Sequence, residues 1–380
     1  MTEKKDTIPH ALYIHIPFCA RKCNYCDFNS MVSDAKTIDR YLRALEKELN
    51  ILQGQYLFQT IYIGGGTPSV LTEFQLEKLL SSVIECIPAS EIREYTCEIN
   101  PGTLTKDKVV LLKDYGVNRV SLGVQSFQQH QLKRLARIHS GDDAREAFAL
   151  LRMNGFQNIN LDLIFGCPEQ TLDEWEKDLK AAVELSPEHV STYALTYEEG
   201  TPLALDLKNK VLHKLEEDIE LEMYKMAIRY LTRNQFNHYE ISNFAKDVYE
   251  CRHNRVYWEN KGYIGIGAGA YSFLHGVRTA NEKDVSKYIH GIEENKNINS
   301  FAECLPQNQL ASETIVMSLR LRQGVLNTDF YERFGYTIED QFGNQINRLR
   351  RYGLVAYEDE RLMLTEKGLF VADTVMTEFL

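Results

Sequence analysis

The chain has 380 residues, of which 44% are hydrophobic and 26% are charged. These proportions are typical of a globular protein and exclude a wholly disordered or fibrous chain. With 43 Lys and Arg against 54 Asp and Glu, the formal net charge of −11 argues against a protein that wraps nucleic acid or coats anionic lipid.

No apolar run reaches the roughly 18 residues that a membrane-spanning helix needs. The apolar stretch at residues 11–16 is also too short to be the core of a signal peptide. We therefore expect a cytoplasmic protein with no nucleic-acid partner and at most peripheral contact with a membrane. Its eight cysteines would be reduced in that compartment.

The first half of the chain alternates short apolar or β-branched runs with longer amphipathic segments. This alternation is typical of βαβ units around a parallel sheet with right-handed crossovers. Six such units suit a doubly wound sheet or an incomplete barrel. The predicted strands are residues 12–16, 60–64, 95–99, 119–124, 158–165 and 189–196. The predicted helices are residues 37–52, 75–87, 106–115, 141–154 and 172–185.

The pattern changes after Thr196. A loop and a long amphipathic helix near 215–232 precede a less regular stretch that includes the glycine-rich segment 262–271. From about Ser312 the chain is helical again and leads to a hairpin at 353–364. We predict three domains: residues 1–200, residues 201–300, and a mainly helical, winged-helix-like C-terminal domain at 301–380.

Three of the eight cysteines, Cys19, Cys23 and Cys26, fall within one short segment. A structural zinc site would need a fourth ligand, for which His10 and His15 are the nearest candidates. In a 4Fe–4S cluster each iron takes one thiolate, so three cysteines would leave one iron free for a small molecule. The spacing therefore favours a cubane over zinc, with zinc as the open alternative.

Residues 13–28 resemble the cluster loop of the radical S-adenosylmethionine (SAM) superfamily. Within it, they are similar to the branch of the oxygen-independent coproporphyrinogen oxidases and a related group of heme chaperones. The resemblance implies an α/β fold, an incomplete (βα)6 radical-SAM barrel. It also implies a 4Fe–4S cluster on Cys19, Cys23 and Cys26, SAM at the remaining iron, and an electron donor for the cluster.

Glycine or polar residues stand where several predicted strands end. The run Gly64, Gly65 and Gly66 ends the second strand, Glu98 ends the third and Gln125 the fourth. The carboxyl ends of parallel strands meet at one mouth of a barrel. Taken singly, Glu98 or Gln125 would be read as solvated and the glycine run as a turn. The resemblance implies SAM contacts at Tyr13, Tyr25, Gly65, Gly66, Thr67, Glu98, Gln125, Arg137 and Asp162.

Two features of the resemblance favour the heme-chaperone group. The oxidases carry a further cysteine two residues after the third, where this chain has Phe28. The segment 253–258, HNRVYW, resembles the HNxxYW signature of the chaperones, which implies a heme contact by His253. Without the resemblance, His253 would be read as a partly buried histidine in an aromatic-rich loop, and Cys251 is close enough to compete as a ligand.

The implied function is a heme chaperone that binds heme and transfers it to acceptors such as respiratory cytochromes, with no catalytic residue assigned. The alternative is a radical SAM enzyme that acts on a porphyrin. The glycine stretch 265–270 lacks the G-x-G-x-x-G spacing of a dinucleotide site. Arginines at the end of a predicted helix at 338–352 suit the helix dipole and do not indicate DNA binding in an acidic chain.

Overall fold

The computed structural model describes residues 9–380. Its centre is a parallel sheet of six strands that neighbour one another in chain order, with a helix in each crossover. The strands are β1 (Ala11–Ile16), β2 (Thr60–Gly65), β3 (Glu94–Ile99), β4 (Arg119–Gln125), β5 (Ile159–Phe165) and β6 (His189–Ala194). The helices are α1 (Ala35–Leu52), α2 (Glu73–Cys86), α3 (Lys106–Asp114), α4 (Gln129–Arg134), α5 (Gly141–Met153) and α6 (Leu172–Glu184). This order confirms the predicted (βα)6 arrangement.

The two faces of the sheet differ because side chains alternate along each strand. Leu12, Ile14 and Ile16 of β1 are fully buried in the main apolar core, together with the inner faces of the surrounding helices. Tyr13 and His15 occupy the alternating positions and face the opposite side. That second face carries most of the polar side chains of these strands. The strands therefore place polar groups on the inside of the partial barrel.

Six further short strands extend the same sheet at both edges. They are β7 (Asn237–Glu240), β8 (Asn243–Ala245), β9 (Tyr263–Ile266), β10 (Tyr271–Leu274), β11 (Val277–Asn281) and β12 (Asn299–Cys304). Helices α7 (Pro202–Lys208) and α8 (Glu217–Arg233) connect β6 to β7, whereas α9 (Arg252–Trp258) precedes β9 and α10 (Val285–Glu293) precedes β12. Strand β8 pairs antiparallel with β6, whereas β9 runs parallel to β1.

These added strands correct the expectation of a less regular stretch around 262–271. The segment forms β9 because its backbone pairs with β1, a strand about 250 residues earlier in the chain. Strand β12 crosses residue 300, where a boundary was expected. The three domain limits themselves stay predictions.

The C-terminal residues form a second core. Its elements are α11 (Gln307–Ser318), β13 (Val325–Leu326), α12 (Asn327–Phe334), α13 (Ile338–Arg351), β14 (Val355–Glu358), β15 (Arg361–Leu364), α14 (Glu366–Leu369) and α15 (Ala372–Thr377). The strands make a small antiparallel sheet in the order β13-β15-β14. Phe330, Phe342 and Phe379 pack in its core. This combination of helices and a terminal hairpin confirms the predicted winged-helix-like domain.

Helix α11 attaches this second core to the sheet through α9. The Ser318 hydroxyl donates to the Trp258 carbonyl at 3.1 Å, and the Asn260 side-chain amide donates to Thr314 Oγ1 at 3.0 Å. An open cavity lies between α11 and the edge strands of the sheet. Among the described helices, none has the length and apolar composition required to traverse a bilayer.

Candidate functional site

Residues 17–34, here called the cysteine loop, connect β1 to α1 and carry the three clustered cysteines. The Cys19 backbone N–H donates to the Met31 carbonyl at 2.9 Å, which closes the loop at its base. The Asn29 side-chain amide donates to the carbonyls of Ala268 and Lys283, each at 3.0 Å. The loop is therefore held both by its own strand and by residues of the added sheet edge.

The thiols of the cysteine loop are only partly buried. Burial raises the pKa of Cys19 and of Cys26, although the Thr67 hydroxyl, 3.6 Å from Cys19 Sγ, opposes the shift at Cys19. Among residues 9–380, no group of three or more His, Cys, Asp or Glu side chains converges tightly enough to hold a single metal ion.

A zinc site completed by histidine finds no support in this geometry. The His15 Nε2 atom is bonded to the Asn29 carbonyl at 2.8 Å, and its Nδ1 atom to the Tyr13 hydroxyl at 3.0 Å. His10 precedes β1, at the end of the strand opposite to the cysteine loop. Of the two candidates for a fourth ligand, His15 already uses both ring nitrogens in hydrogen bonds, and His10 lies at the other end of the strand.

The glycine run at the end of β2 forms a close-packed backbone surface beside the cysteine loop. A Cβ atom on Gly65 would lie 2.4 Å from His15 Cε1, and one on Gly66 would lie 2.7 Å from the Phe18 carbonyl oxygen. Gly65 also has a φ of +112°, which residues with a side chain rarely adopt. The backbone at the predicted SAM site therefore requires glycine at both positions.

Glu98 lies next to this glycine run on β3. It accepts hydrogen bonds from the Tyr62 hydroxyl at 2.8 Å and from the Gly65 N–H at 3.1 Å. The surrounding protein raises the pKa of Glu98 to about 7, mainly through burial and partly through the nearby charge of Asp162, while the Tyr62 bond opposes the rise. The carboxyl group therefore changes charge near neutral pH.

The raised pKa of Glu98 predicts a pH-dependent stability. Between its ordinary value of 4.5 and about 7, the folded state holds a proton that the unfolded chain releases, so stability falls as pH rises through this window. Replacing Glu98 with Gln removes this dependence. The free energy of unfolding of Glu98→Gln relative to the original chain is expected to increase by about 1–2 kcal/mol from pH 5 to pH 7.5. Urea unfolding of both proteins without SAM measures this difference. If the free energies of unfolding of the two proteins change with pH in parallel, the raised pKa of Glu98 is contradicted.

Arg137 and Gln125 approach the cysteine loop from the other side. Arg137 Nη2 donates to the Gly123 carbonyl at 2.9 Å, and Nη1 lies 3.4 Å from Cys23 Sγ. Arg137 also interacts with Tyr25, whose pKa burial raises. Gln125 adopts a φ of +66° where the register of β4 against β5 shifts. Backbone strain of this kind at a non-glycine residue is common at ligand sites.

Asp162 and Tyr13 lie within the barrel next to these groups. Asp162 accepts hydrogen bonds from the Ser121 hydroxyl at 2.9 Å and the Asn160 amide at 2.8 Å. Burial raises the pKa of Asp162 and also that of Tyr13, which is therefore a neutral hydrogen-bonding group. The structure thus brings all nine predicted SAM residues to the inside of the barrel or to its mouth.

These residues fit the chemistry of SAM. The Arg137 Nε atom is buried and has no hydrogen-bond partner among residues 9–380, which leaves its N–H able to donate to a carboxylate. The glycine run provides backbone that no side chain covers, and Glu98 provides an acceptor for hydroxyl or ammonium groups. A methionine-derived ligand with both functions matches this set.

The sequence reasoning did not assign two residues of the predicted SAM site, and it considered His15 only as a possible zinc ligand. His15 supports the glycine run at Gly65, and Tyr62 binds Glu98. His15 lies two residues after the predicted Tyr13, and Tyr62 lies two residues before Gly64 of the glycine run, so each pair shares one face of its strand. The two-residue period of a strand was therefore the signal that could have identified them.

The structure does not bring His253 to the cysteines. Its side chain is only 1% exposed and lies near the amino ends of β2 and β3, where Glu94 caps the first N–H groups of α9. His253 Nδ1 is bonded to the Thr60 hydroxyl and Nε2 to the Tyr257 hydroxyl, each at 2.9 Å. Burial lowers the pKa of His253 to about 3, so the ring is neutral.

The competing ligand Cys251 is equally enclosed. Its thiol is 3.5 Å from a Glu94 oxygen, and burial raises its pKa to about 12. In contrast, the next two aromatic residues of the HNxxYW segment, Tyr257 and Trp258, line an open cavity of about 700 Å³ between the cysteine loop, the edge strands and α11. The motif therefore spans from the barrel interior to the wall of a cavity.

Comparisons with known proteins agree with this geometry. Residues 13–182 match the radical SAM superfamily, and residues 305–371 match the HemN C-terminal domain. Heme chaperone HemW of Lactococcus lactis is 37% identical over 372 residues, covering 98% of this chain and 97% of the relative. Heme chaperone HemW of Bacillus subtilis is also 37% identical, covering 97% and 98% of the two chains.

A solved structure shares the whole fold. The coproporphyrinogen III oxidase HemN from Escherichia coli, a radical SAM enzyme, superimposes with a TM-score of 0.86 at 23% sequence identity. The match covers 99% of this chain and 91% of HemN. At this identity the likeness shows the common architecture, which comprises the incomplete barrel and the C-terminal domain.

Proposed function

This chain belongs to the HemW family of the radical SAM superfamily, and we propose on that basis that it is a heme chaperone that binds heme and transfers it to acceptor hemoproteins. Full-length similarity to proteins named heme chaperone supports this function. The fold alone does not distinguish a chaperone from an oxidase, because HemN has the same architecture.

Membership in the radical SAM superfamily implies a 4Fe–4S cluster and SAM. We assign the cluster to Cys19, Cys23 and Cys26 and leave one iron for SAM. When bound, the cluster supplies one electron to the SAM sulfonium. The protein's part is to bind and orient the ligand, and the residues we assign to it are Tyr13, Tyr25, Gly65, Gly66, Thr67, Glu98, Gln125, Arg137 and Asp162.

Phe28 is the observation that carries the chaperone function over porphyrin oxidation. It stands where the resemblance places a further cysteine in the oxidases, and it is 65% exposed on the cysteine loop at the edge of the cavity. An exposed phenyl ring offers apolar contact but no sulfur chemistry. This position therefore suits the binding of a porphyrin more than its oxidation.

Heme binding and transfer test the function directly. The reconstituted protein is expected to bind heme in an absorption titration and to pass it to a heme-free cytochrome, with no carbon dioxide released from coproporphyrinogen. Transfer should be compared with and without an intact cluster. Turnover of coproporphyrinogen with carbon dioxide release would instead support the alternative, a radical SAM enzyme acting on a porphyrin.

A heme role for His253 remains a prediction from the HNxxYW motif. In the conformation described here, direct contact with iron would require that the bonds to Thr60 or Tyr257 break. His253→Ala is expected to weaken heme binding by about tenfold, since it removes either a ligand or the support of Tyr257. The heme titration measures this change, and unchanged affinity would exclude both roles.

The proposed partners follow from this function. They are heme, heme-accepting proteins such as respiratory cytochromes, and an electron donor that reduces the cluster. A cytoplasmic location with at most peripheral membrane contact would give the chaperone access to both newly made heme and its acceptors.

A further inference from the structure

The glycine stretch 265–270 packs against the end of β1 and the cysteine loop. Gly267 has a φ of +95°, and a Cβ atom there would lie 2.5 Å from the Tyr41 hydroxyl oxygen. Gly269 has a φ of +77°, and a Cβ atom there would lie 2.7 Å from Asn29 Nδ2. Both positions therefore require glycine, because the backbone lies in the left-handed region and approaches its neighbours closely. The stretch thus serves a contact inside the protein.

Both backbone polar groups of Ala268, in the middle of this stretch, bind residues next to the predicted iron–sulfur site. The Ala268 N–H donates to the Tyr41 hydroxyl at 3.0 Å, and that hydroxyl donates to the His15 carbonyl at 2.7 Å. The Ala268 carbonyl accepts from the Asn29 side-chain amide at 3.0 Å. The Asn29 carbonyl is bonded in turn to His15 Nε2 at 2.8 Å. The position of Ala268 therefore affects the cysteine loop and His15 together.

Glu48 of α1 holds the preceding residue of the stretch. Its carboxylate accepts hydrogen bonds from the Gly267 N–H at 2.9 Å, the Asn281 side-chain amide at 2.7 Å and the Tyr288 hydroxyl at 2.5 Å. The Asn281 amide also donates to the Gly267 carbonyl at 3.1 Å. Both polar groups of Gly267 are therefore fixed by Glu48 or by a side chain that Glu48 binds.

The buried position of Glu48 is costly for a carboxyl group. The side chain is 9% exposed, burial raises its pKa, and it has no ion pair within residues 9–380. An apolar side chain could fill the same space without this cost, since burying a polar group is unfavourable unless its hydrogen bonds are satisfied. The two carboxylate oxygens thus indicate that this place requires hydrogen-bond acceptors.

We propose that Glu48 is a positioning residue for the iron–sulfur site and acts on the cysteine loop through the glycine stretch 265–270 and Asn29. Asn29 lies three residues after Cys26, so loss of its anchor would free the second half of the loop. Residues that orient metal ligands without binding the metal commonly change metal affinity when they are replaced. The inference rests on the proposed 4Fe–4S cluster and assigns the residues that hold its loop in place.

Hydrogen exchange of the full-length, cluster-free chain tests the positioning of the loop without the cluster. Glu48→Leu and Asn29→Ala are each expected to speed exchange in peptides covering residues 19–31, while peptides of the C-terminal core exchange as in the original chain. Glu48→Gln keeps an acceptor oxygen and should restore slow exchange. The matched controls, Glu146→Leu on α5 and Asn344→Ala on α13, replace exposed side chains and should have no effect.

Anaerobic reconstitution then tests the effect on the cluster. In Glu48→Leu and in Asn29→Ala, iron release to a chelator should be about tenfold faster, and the Kd for SAM should rise about tenfold. Glu48→Gln should stay close to the original chain in both measurements. Since the two residues act through one contact, the double variant Glu48→Leu, Asn29→Ala should release iron no faster than the more affected single variant.

Four results would overturn the proposal. The first is unchanged loop exchange, iron release and SAM affinity in both Glu48→Leu and Asn29→Ala. The second is a Glu48→Leu variant that loses only stability to urea, because this loss shows a purely structural role. The third is a double variant in which the two effects simply multiply, because Glu48 and Asn29 would then act separately. The fourth applies if Glu48→Leu fails to fold: Asn29→Ala then decides, and normal exchange and iron release in it reject the proposal.

Failure of the cluster assignment gives a different result. If the original chain takes up no iron and sulfide, the proposed cluster fails. The exchange data on the cluster-free chain still show whether Glu48 holds the cysteine loop.

Discussion

Replacing Cys23 with alanine is expected to abolish the iron–sulfur cluster. Anaerobic reconstitution of the original chain should give about four iron and four sulfide per chain, and Cys23→Ala should give close to none. The thiol lies between Cys19 and Cys26 on the cysteine loop, 3.4 Å from Arg137, and no other described cysteine belongs to this loop. Loss of one thiolate leaves only two thiolates for the four irons, and two protein ligands are too few to retain a cubane.

Cys304→Ala provides the matched control. Cys304 ends β12 and is exposed, so its removal should leave the iron and sulfide content unchanged. Full recovery of the cluster by Cys23→Ala, with a spectrum that still responds to SAM, would contradict the assignment of the three cysteines. Stoichiometric zinc without sulfide in the original chain would contradict both the cluster and the SAM site.

Gly65→Ala is expected to cause the second large loss, that of SAM binding. The new methyl group would overlap the His15 ring, which is held by bonds to Tyr13 and Asn29 and has little freedom to move. The φ of +112° adds backbone strain. Together these effects should destabilise the protein by at least about 2 kcal/mol and lower SAM affinity by tenfold or more.

Gly343→Ala is the control for this substitution. Gly343 lies within α13, and a Cβ there would meet no atom within 4 Å. Alanine is a better helix former, so this variant should gain about 0.5–1 kcal/mol in free energy of unfolding and bind SAM normally. Urea unfolding and equilibrium binding of SAM measure the two effects separately. Normal SAM affinity in Gly65→Ala would mean that the glycine run does not hold the ligand.

Much of the barrel was predictable because its information is local. The six parallel strands are apolar runs bounded by turn residues, and helices such as α6 start at a capping box of Thr171 and Glu174. The cysteine loop was identifiable for the same reason, since its ligands lie within one short segment. The apolar pattern of a strand and the spacing of a short motif both depend only on residues that are close together in the sequence.

The edge strands were not predictable because they are short, often polar, and formed by distant partners. Strand β12 is almost wholly exposed, and β8 has only three residues. The position of His253 depends on Glu94, which accepts its backbone N–H from 159 residues away. The local sequence of the HNxxYW segment cannot predict a contact with so distant a residue. The segment was therefore expected in a loop, whereas it forms α9.

The pairing of β1 with β9 sets an order of events during synthesis. Strand β1 receives one of its two neighbours only when residues 263–266 have been made. The Asn29 anchor of the cysteine loop likewise depends on Ala268 and Lys283. Contacts between such distant residues form late in folding. While the chain is still being made, the cysteine loop would thus lack its Asn29 anchor. We therefore expect the cluster to be assembled on the finished polypeptide.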